Sequence, residues 1–301
     1  MSFSLVPGFA QRYPKSDDPD FEGALPRPRP ADPAAVSPGS NQASPLIETC
    51  CTTLDQALAA QSRGTGRIEL CTDLSVGGLT PSRDLIREVA ATLTIPVNVL
   101  VRPATRDNSA GGNASQSHAT LGTVRGRGPS EAWEGSSEAR RFGRHYQSAS
   151  RVAEMGFSES DFVYDKEALE QMLDDIAYCK TVGVSGIVVG ALTTEGAIDL
   201  PAMRRLMAAA APLPVTFHRA FDVCTEDPFI ALDKIIALGC ARLLSSGQAP
   251  TAWEGRALLT LLVRRAGSRL IVMPGCGVLP ENIKAIAGAT CAREIHGTRI
   301  P

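Results

Sequence analysis

The sequence predicts an α/β chain: a TIM-type (β/α)8 barrel lacking its last helix, with a disordered N-terminal tail and a long polar insertion after the third strand. Three observations carry this expectation. Short β-branched or apolar runs alternate with stretches whose apolar residues recur near every 3.6 positions. Strand starts near 186, 214, 241 and 269 are spaced by 27 or 28 residues, the length of one βα unit. Eight such units suit a closed parallel barrel. A doubly wound open sheet is the alternative, but no GxGxxG follows the first strand.

The elements follow in order. Strands are expected at LIETCC (46–51), RIELC (67–71), VNVLV (97–101), GIVVG (186–190), PVTFH (214–218), ARLLS (241–245), RLIVM (269–273) and AREIH (292–296). Helices are expected at 53–62, 82–93, 166–182, 200–211, 227–239, 253–267 and 280–288, each with one apolar stripe. Asp227-Pro228 and Pro280 stand where helix starts favour them. The chain ends at Pro301, directly after the eighth strand, so no eighth helix can be drawn.

Two stretches fall outside this pattern. Residues 1–45 hold nine of the 21 prolines, including PRPRP at Pro26 to Pro30, and have no helical or strand period. Residues 104–160 hold eight Gly and ten Ser in 57 positions and read as a flexible insertion within a barrel domain spanning 46–301. Within it, 137–157 has the makings of a short helix with a basic face.

Composition narrows the function. With 30 Lys+Arg against 32 Asp+Glu the net charge is −2, which lacks the basic excess of a nucleic-acid binder. Hydrophobic residues at 44% support a sizeable core, yet no apolar run reaches membrane-spanning length. The N-terminus has no apolar signal-peptide core, and Asp17, Asp18 and Asp20 fit a transit peptide poorly. A cytoplasmic, reducing location is therefore expected, with the eight cysteines as thiols.

Chemistry concentrates at strand ends, where barrels of this type place their reactive groups. Glu48 and Cys50 share one face of strand one, and Glu69 and Cys71 share one face of strand two. If that face points inward, the two acids lie at one level and the two thiols one step nearer the mouth. Strand three ends in Arg102, strand five in His218 and Arg219 with Asp222 beyond, and strand eight carries Glu294 and His296. Charges inside a barrel are costly unless paired, so this set points to a polar, functional mouth.

LIETCC, RIELC followed by GGLTPS, VNVLVRP, DFVY, PVTFHRAFD, LLSSG, VMPGCGV and EIHG together resemble the CutC family of copper homeostasis proteins. The resemblance runs through nearly all of the regular segments. It implies a TIM-barrel fold, a cytoplasmic protein associated with copper handling, a homo-oligomer, and a Cu(I) site on the cysteines of the first two strands, which here are Cys50 and Cys71. Cu(I) is soft and prefers thiolate, and its low coordination number lets two sulfurs suffice. Each cysteine is equally an ordinary small buried hydrophobe. Three features depart from the family pattern: the 57-residue insertion before Asp161 with loss of an RGG, Gly297 where some members have a cysteine, and the end directly after strand eight.

Two further readings stay open. As an enzyme, the barrel would act on a small anionic substrate, phosphorylated or sugar-like. Arg102 or Arg219 would clamp the anion, and His218 with Glu48, Glu69 or Asp222 would move a proton. Backbone N–H groups at Ser246, Gly247, Gly275 and Gly277 would form the anion site, although tight-turn geometry is the favoured account of those glycines. As an interaction protein, the barrel would be a scaffold and PRPRP a polyproline ligand.

Overall fold

The computed structural model describes residues 44–104 and 157–298. The expected tail and most of the insertion, including nearly all of the basic-faced stretch 137–157, lie outside the described residues. Eight strands are present: β1 (Leu46–Cys51), β2 (Arg67–Leu70), β3 (Val97–Leu100), β4 (Gly186–Val189), β5 (Val215–Phe217), β6 (Arg242–Ser245), β7 (Ile271–Pro274) and β8 (Glu294–Gly297). All hydrogen-bonded neighbours are parallel, in the order β7-β6-β5-β4-β3-β2-β1-β8, so β7 and β8 meet at the seam of a nearly closed barrel.

Outside the strands lie α1 (Leu54–Ser62), α2 (Arg83–Thr92), α3 (Lys166–Val182), α4 (Leu200–Ala210), α5 (Pro228–Ala237), α6 (Arg256–Ala266) and α7 (Ile283–Thr290). Among the described residues no helix follows β8, and none is long and apolar enough to cross a membrane. Side-chain caps fix most helix starts: Thr53, Ser82, Asp165, Asp199 and Asp227 each accept from a backbone N–H of the first turn. Pro228 occupies the first turn behind its Asp227 cap, as its fixed φ favours. At α7 the cap position falls to Asn282, two residues past Pro280.

Strand alternation divides the interior into two environments. Residues facing the helices, among them Cys51, Ile68, Leu70, Val99, Ile187, Val189, Phe217, Leu243 and Ile295, join one continuous apolar core. The barrel lumen is mostly polar, with Glu48, Arg67, Glu69, Asn98, Arg102, Thr216, His218, Glu294 and His296 all buried and a small apolar patch of Cys50, Cys71, Leu100 and Val188. The apolar layer between sheet and helices therefore supplies the hydrophobic stabilisation, and the lumen is left for chemistry.

Candidate metal centre and barrel mouth

The strand register decides which lumen residues meet. Glu48 lies beside Arg67, and Cys50 lies beside Glu69. The two Glu-x-Cys tripeptides are thus offset by two residues, and the expectation that the acids share one level is corrected. Strands tilt against the barrel axis, so equivalent positions on neighbours are staggered. The same stagger sets Glu48 beside His296 of β8.

At the base of the lumen, charges are paired across strands. The Arg67 guanidinium donates to Glu48 from Nε and to Glu294 from Nη2. Arg242 Nε donates to Glu294 at 2.7 Å, and Asn98 Nδ2 donates to Glu48 at 3.2 Å. One step higher, His296 Nδ1 lies 2.9 Å from Glu48 Oε1 and its Nε2 lies 3.4 Å from Glu69 Oε2. Burial works against charge on His296, but Glu69 and Glu48 outweigh it and raise its pKa. The carboxylates diverge. Burial lifts Glu48, yet His296 and Arg67 prevail and bring it down to about 2. Glu69 is raised, chiefly by burial and despite His296, with Glu48 adding repulsion.

Above this layer the thiols meet. Cys50 Sγ and Cys71 Sγ are 2.7 Å apart, both buried in the lumen. The Cys71 contact and then burial hold the Cys50 thiol well above its usual pKa, and the Glu69 charge adds to the effect. Cys50, Glu69 and His296 place one ligand atom each within 4.8 Å of one another. Cys51 points the other way, into the helix-facing core, where burial pushes its thiol up to about 12. All eight cysteines are free thiols.

The thiols, Glu69 and His296 line a cavity of about 830 Å³ at the barrel mouth, together with Arg102, His218, Arg219, Phe157, Phe162 and Gly277. That volume lies within the range of small-molecule sites. At the end of β3, Arg102 donates from Nη1 to the carbonyls of Val76 and Gly78, each at 2.7 Å. Its Nη2 lies 3.6 Å from Asp161. His218 Nδ1 accepts the Ala220 N–H at 3.2 Å, so the proton of the neutral ring sits on Nε2. Burial, then Arg102, lower the His218 pKa to about 3.

Several expected site residues are used otherwise. Asp222 accepts from Ser245 Oγ at 2.6 Å, from the Ser246 and Gln248 N–H groups, from Ser246 Oγ and from Arg219 Nε. It is a structural anchor for the loop after β6 and has no lone pairs to spare for proton transfer. The same bonds consume the Ser246 N–H, and Gly247 N–H donates to Ser245 Oγ at 2.8 Å. Those two residues therefore offer an anion nothing, because Asp222 already fills the cradle. Gly275 N–H donates to Ser245 O within the sheet. A Cβ on Gly275 would fall 2.5 Å from Leu244 and 3.4 Å from His296, so this glycine serves packing. Gly277 alone of the four lines the cavity.

Three features of the mouth escaped sequence reasoning. Phe157, within the expected insertion, is buried against Phe162 of the DFVY segment, edge to face at 5.4 Å. Cys276 also lines the cavity. His296 was legible as a strand-end residue, and its alternation with Glu294 already put it in the lumen, but only the register reveals its two carboxylates.

Fold and site thus define a class: a parallel barrel whose mouth holds contacting thiols above a carboxylate–imidazole cluster. The CutC family model matches residues 45–110 and 152–301. The chain belongs to the CutC family. A CutC family protein of Parabacteroides distasonis is 38% identical over 252 residues, 83% of this chain and 81% of the relative. One from Xanthomonas campestris pv. campestris is 37% identical over 252 residues, 84% and 82% of the two chains. The crystal structure of a CutC protein from Streptococcus agalactiae superposes with a TM-score of 0.64 at 29% identity, covering 85% of this chain and all of that one.

Proposed function

We propose that this chain serves copper homeostasis by holding Cu(I) between Cys50 and Cys71. The Streptococcus agalactiae relative bears a copper-homeostasis name, and the single observation that supports the assignment here is the 2.7 Å contact between the two sulfurs at the cavity wall. The donor set suits a soft ion. Both nitrogens of His296 are directed at Glu48 and Glu69, which leaves the sulfurs as the free donors. Zn2+ wants a closed shell of four ligands, whereas Cu(I) is satisfied by two thiolates. Metal–thiolate bonds of about 2.3 Å require the sulfurs to part when an ion enters. The remaining lumen charges hold β1, β2 and β8 in register around the pair.

The test is an anaerobic titration of reduced protein with Cu(I) against a competing chelator, with a parallel Zn2+ titration. One tight Cu(I) site is expected. Cys50→Ser and Cys71→Ser should each weaken it by more than the roughly 10–100-fold lost when only a group behind a ligand is removed. Unchanged Cu(I) affinity in both variants, or a site that prefers Zn2+, overturns the assignment.

A further inference from the structure

We propose that the side of the mouth formed by Arg102, His218 and Arg219 is a binding subsite for the anionic group of a small molecule, a phosphate or a carboxylate. It goes beyond copper binding and does not depend on it. Among the described residues, four buried side-chain nitrogen or oxygen atoms have no hydrogen-bond partner: Arg102 Nε and Nη2, His218 Nε2 and Tyr164 OH. They are not scattered. Arg102 and His218 flank one ring, with the Arg102 Cζ 4.9 Å from the Phe162 centroid and the His218 ring 5.0 Å from it. Tyr164 lies close enough for the Arg102 charge to act on its hydroxyl.

The three orphaned nitrogens are all donors, since His218 Nδ1 is taken by the Ala220 N–H. The Tyr164 hydroxyl is an acceptor beside Arg102, whereas His218 Nε2 has no acceptor. Arg102 is 1% exposed and His218 5% exposed, so bulk water does not serve them. Asp161 is an ion-pair partner of Arg102 at 3.6 Å from Nη2, beyond hydrogen-bond length, so it balances the charge without satisfying that N–H. Arg219 supplies a second guanidinium, ion-paired to Asp222 through Nε at 2.9 Å, with its Cζ 4.8 Å from the Phe157 centroid, and lines the same cavity. An oxyanion has several acceptor oxygens and matches a planar guanidinium and a single imidazole N–H together. The two phenylalanines wall this side of the mouth, and a drier wall strengthens such bonds.

Full-length protein with 15N-labelled histidine is titrated separately with inorganic phosphate and with oxalate, following the His218 Nε2 resonance. A saturable shift is expected with at least one of them. Binding by phosphate alone points to phosphate esters, and binding by oxalate alone points to carboxylic acids. Arg219→Gln and His218→Gln, each checked for an intact thermal transition and titrated by isothermal calorimetry alongside the parent, should weaken binding about tenfold or more. Cys50→Ser should leave it unchanged, which separates this subsite from the copper centre. The proposal is overturned if neither anion moves the resonance, if both variants bind as tightly as the parent, or if a high-resolution crystal structure grown with the anion that binds shows only water on these nitrogens.

Discussion

Asp222 and His218 are both buried within four residues of each other at the barrel mouth, and their neighbours give them opposite fates. Asp222 is saturated by donors and anchors a loop. His218 is kept neutral in an apolar pocket beside a cation, and that has a measurable cost. Its folded pKa of about 3 lies below the ordinary value of 6.5, so between those limits the unfolded chain takes up a proton that the folded chain refuses. Stability must therefore fall as pH drops from about 6.5 towards 3 and recover as pH rises. Between pH 7 and pH 5 the parent should lose about 2 kcal/mol more than His218→Gln. Urea denaturation of both proteins at the two pH values checks this, and equal losses would show that the imidazole titrates normally.

Strand β4 shows how an element makes room for such a group. Its inward positions run Gly186, Val188, Gly190. A Cβ on Gly190 would meet His218 Nδ1 at 2.6 Å, and one on Gly186 would meet Asn98 Oδ1 at 2.5 Å. Gly190→Ala should therefore cost about 1–3 kcal/mol by overpacking. Gly288→Ala in α7, where an added Cβ meets nothing within 4 Å, should instead gain up to about 1 kcal/mol from helix propensity. Paired thermal or urea midpoints separate the two cases. At this scale the sequence was a good guide to period and poor at register. Alternation alone placed Glu48, Cys50, Glu69 and Cys71 on common faces, because side chains alternate whatever the neighbouring strand does. The two-residue offset between β1 and β2 comes from barrel tilt, a property of the assembled sheet that no single strand encodes. Phe157 was hidden for a related reason: a single aromatic in a polar, glycine-bearing stretch has no period, and only its partners, Phe162 of the DFVY segment and Arg219, give it a place. The glycine-bearing loops kept two readings open because a turn looks the same whether its N–H groups face a ligand or an internal carboxylate.

For the whole barrel, closure is the outstanding physical problem. Backbone ladders join every neighbouring pair from β7 round to β8, but β7 and β8 themselves stand at the two ends of that order. Side chains cross the gap instead. Glu294 on β8 accepts from Arg242 on β6, beyond β7, and from Arg67 on β2, so one carboxylate ties the two ends of the sheet through the lumen. Gly275 on β7 lets His296 on β8 pack against it. Removing one member leaves buried charge uncompensated, which costs more than the pair itself contributes. Arg67→Met takes the bridging guanidinium from both Glu48 and Glu294, leaving Glu48 to His296 and Asn98 and Glu294 to Arg242, and should destabilise the fold by about 3–5 kcal/mol. Arg242→Met leaves Arg67 in place and should cost less, with its effect concentrated at the seam. Hydrogen exchange of the β8 amides should accelerate more than that of β3 or β4 in Arg242→Met, while the global urea midpoint falls by less than in Arg67→Met. Uniform acceleration across all strands would mean that the seam is no weaker than the rest of the barrel, and that the lumen charges serve the mouth rather than closure.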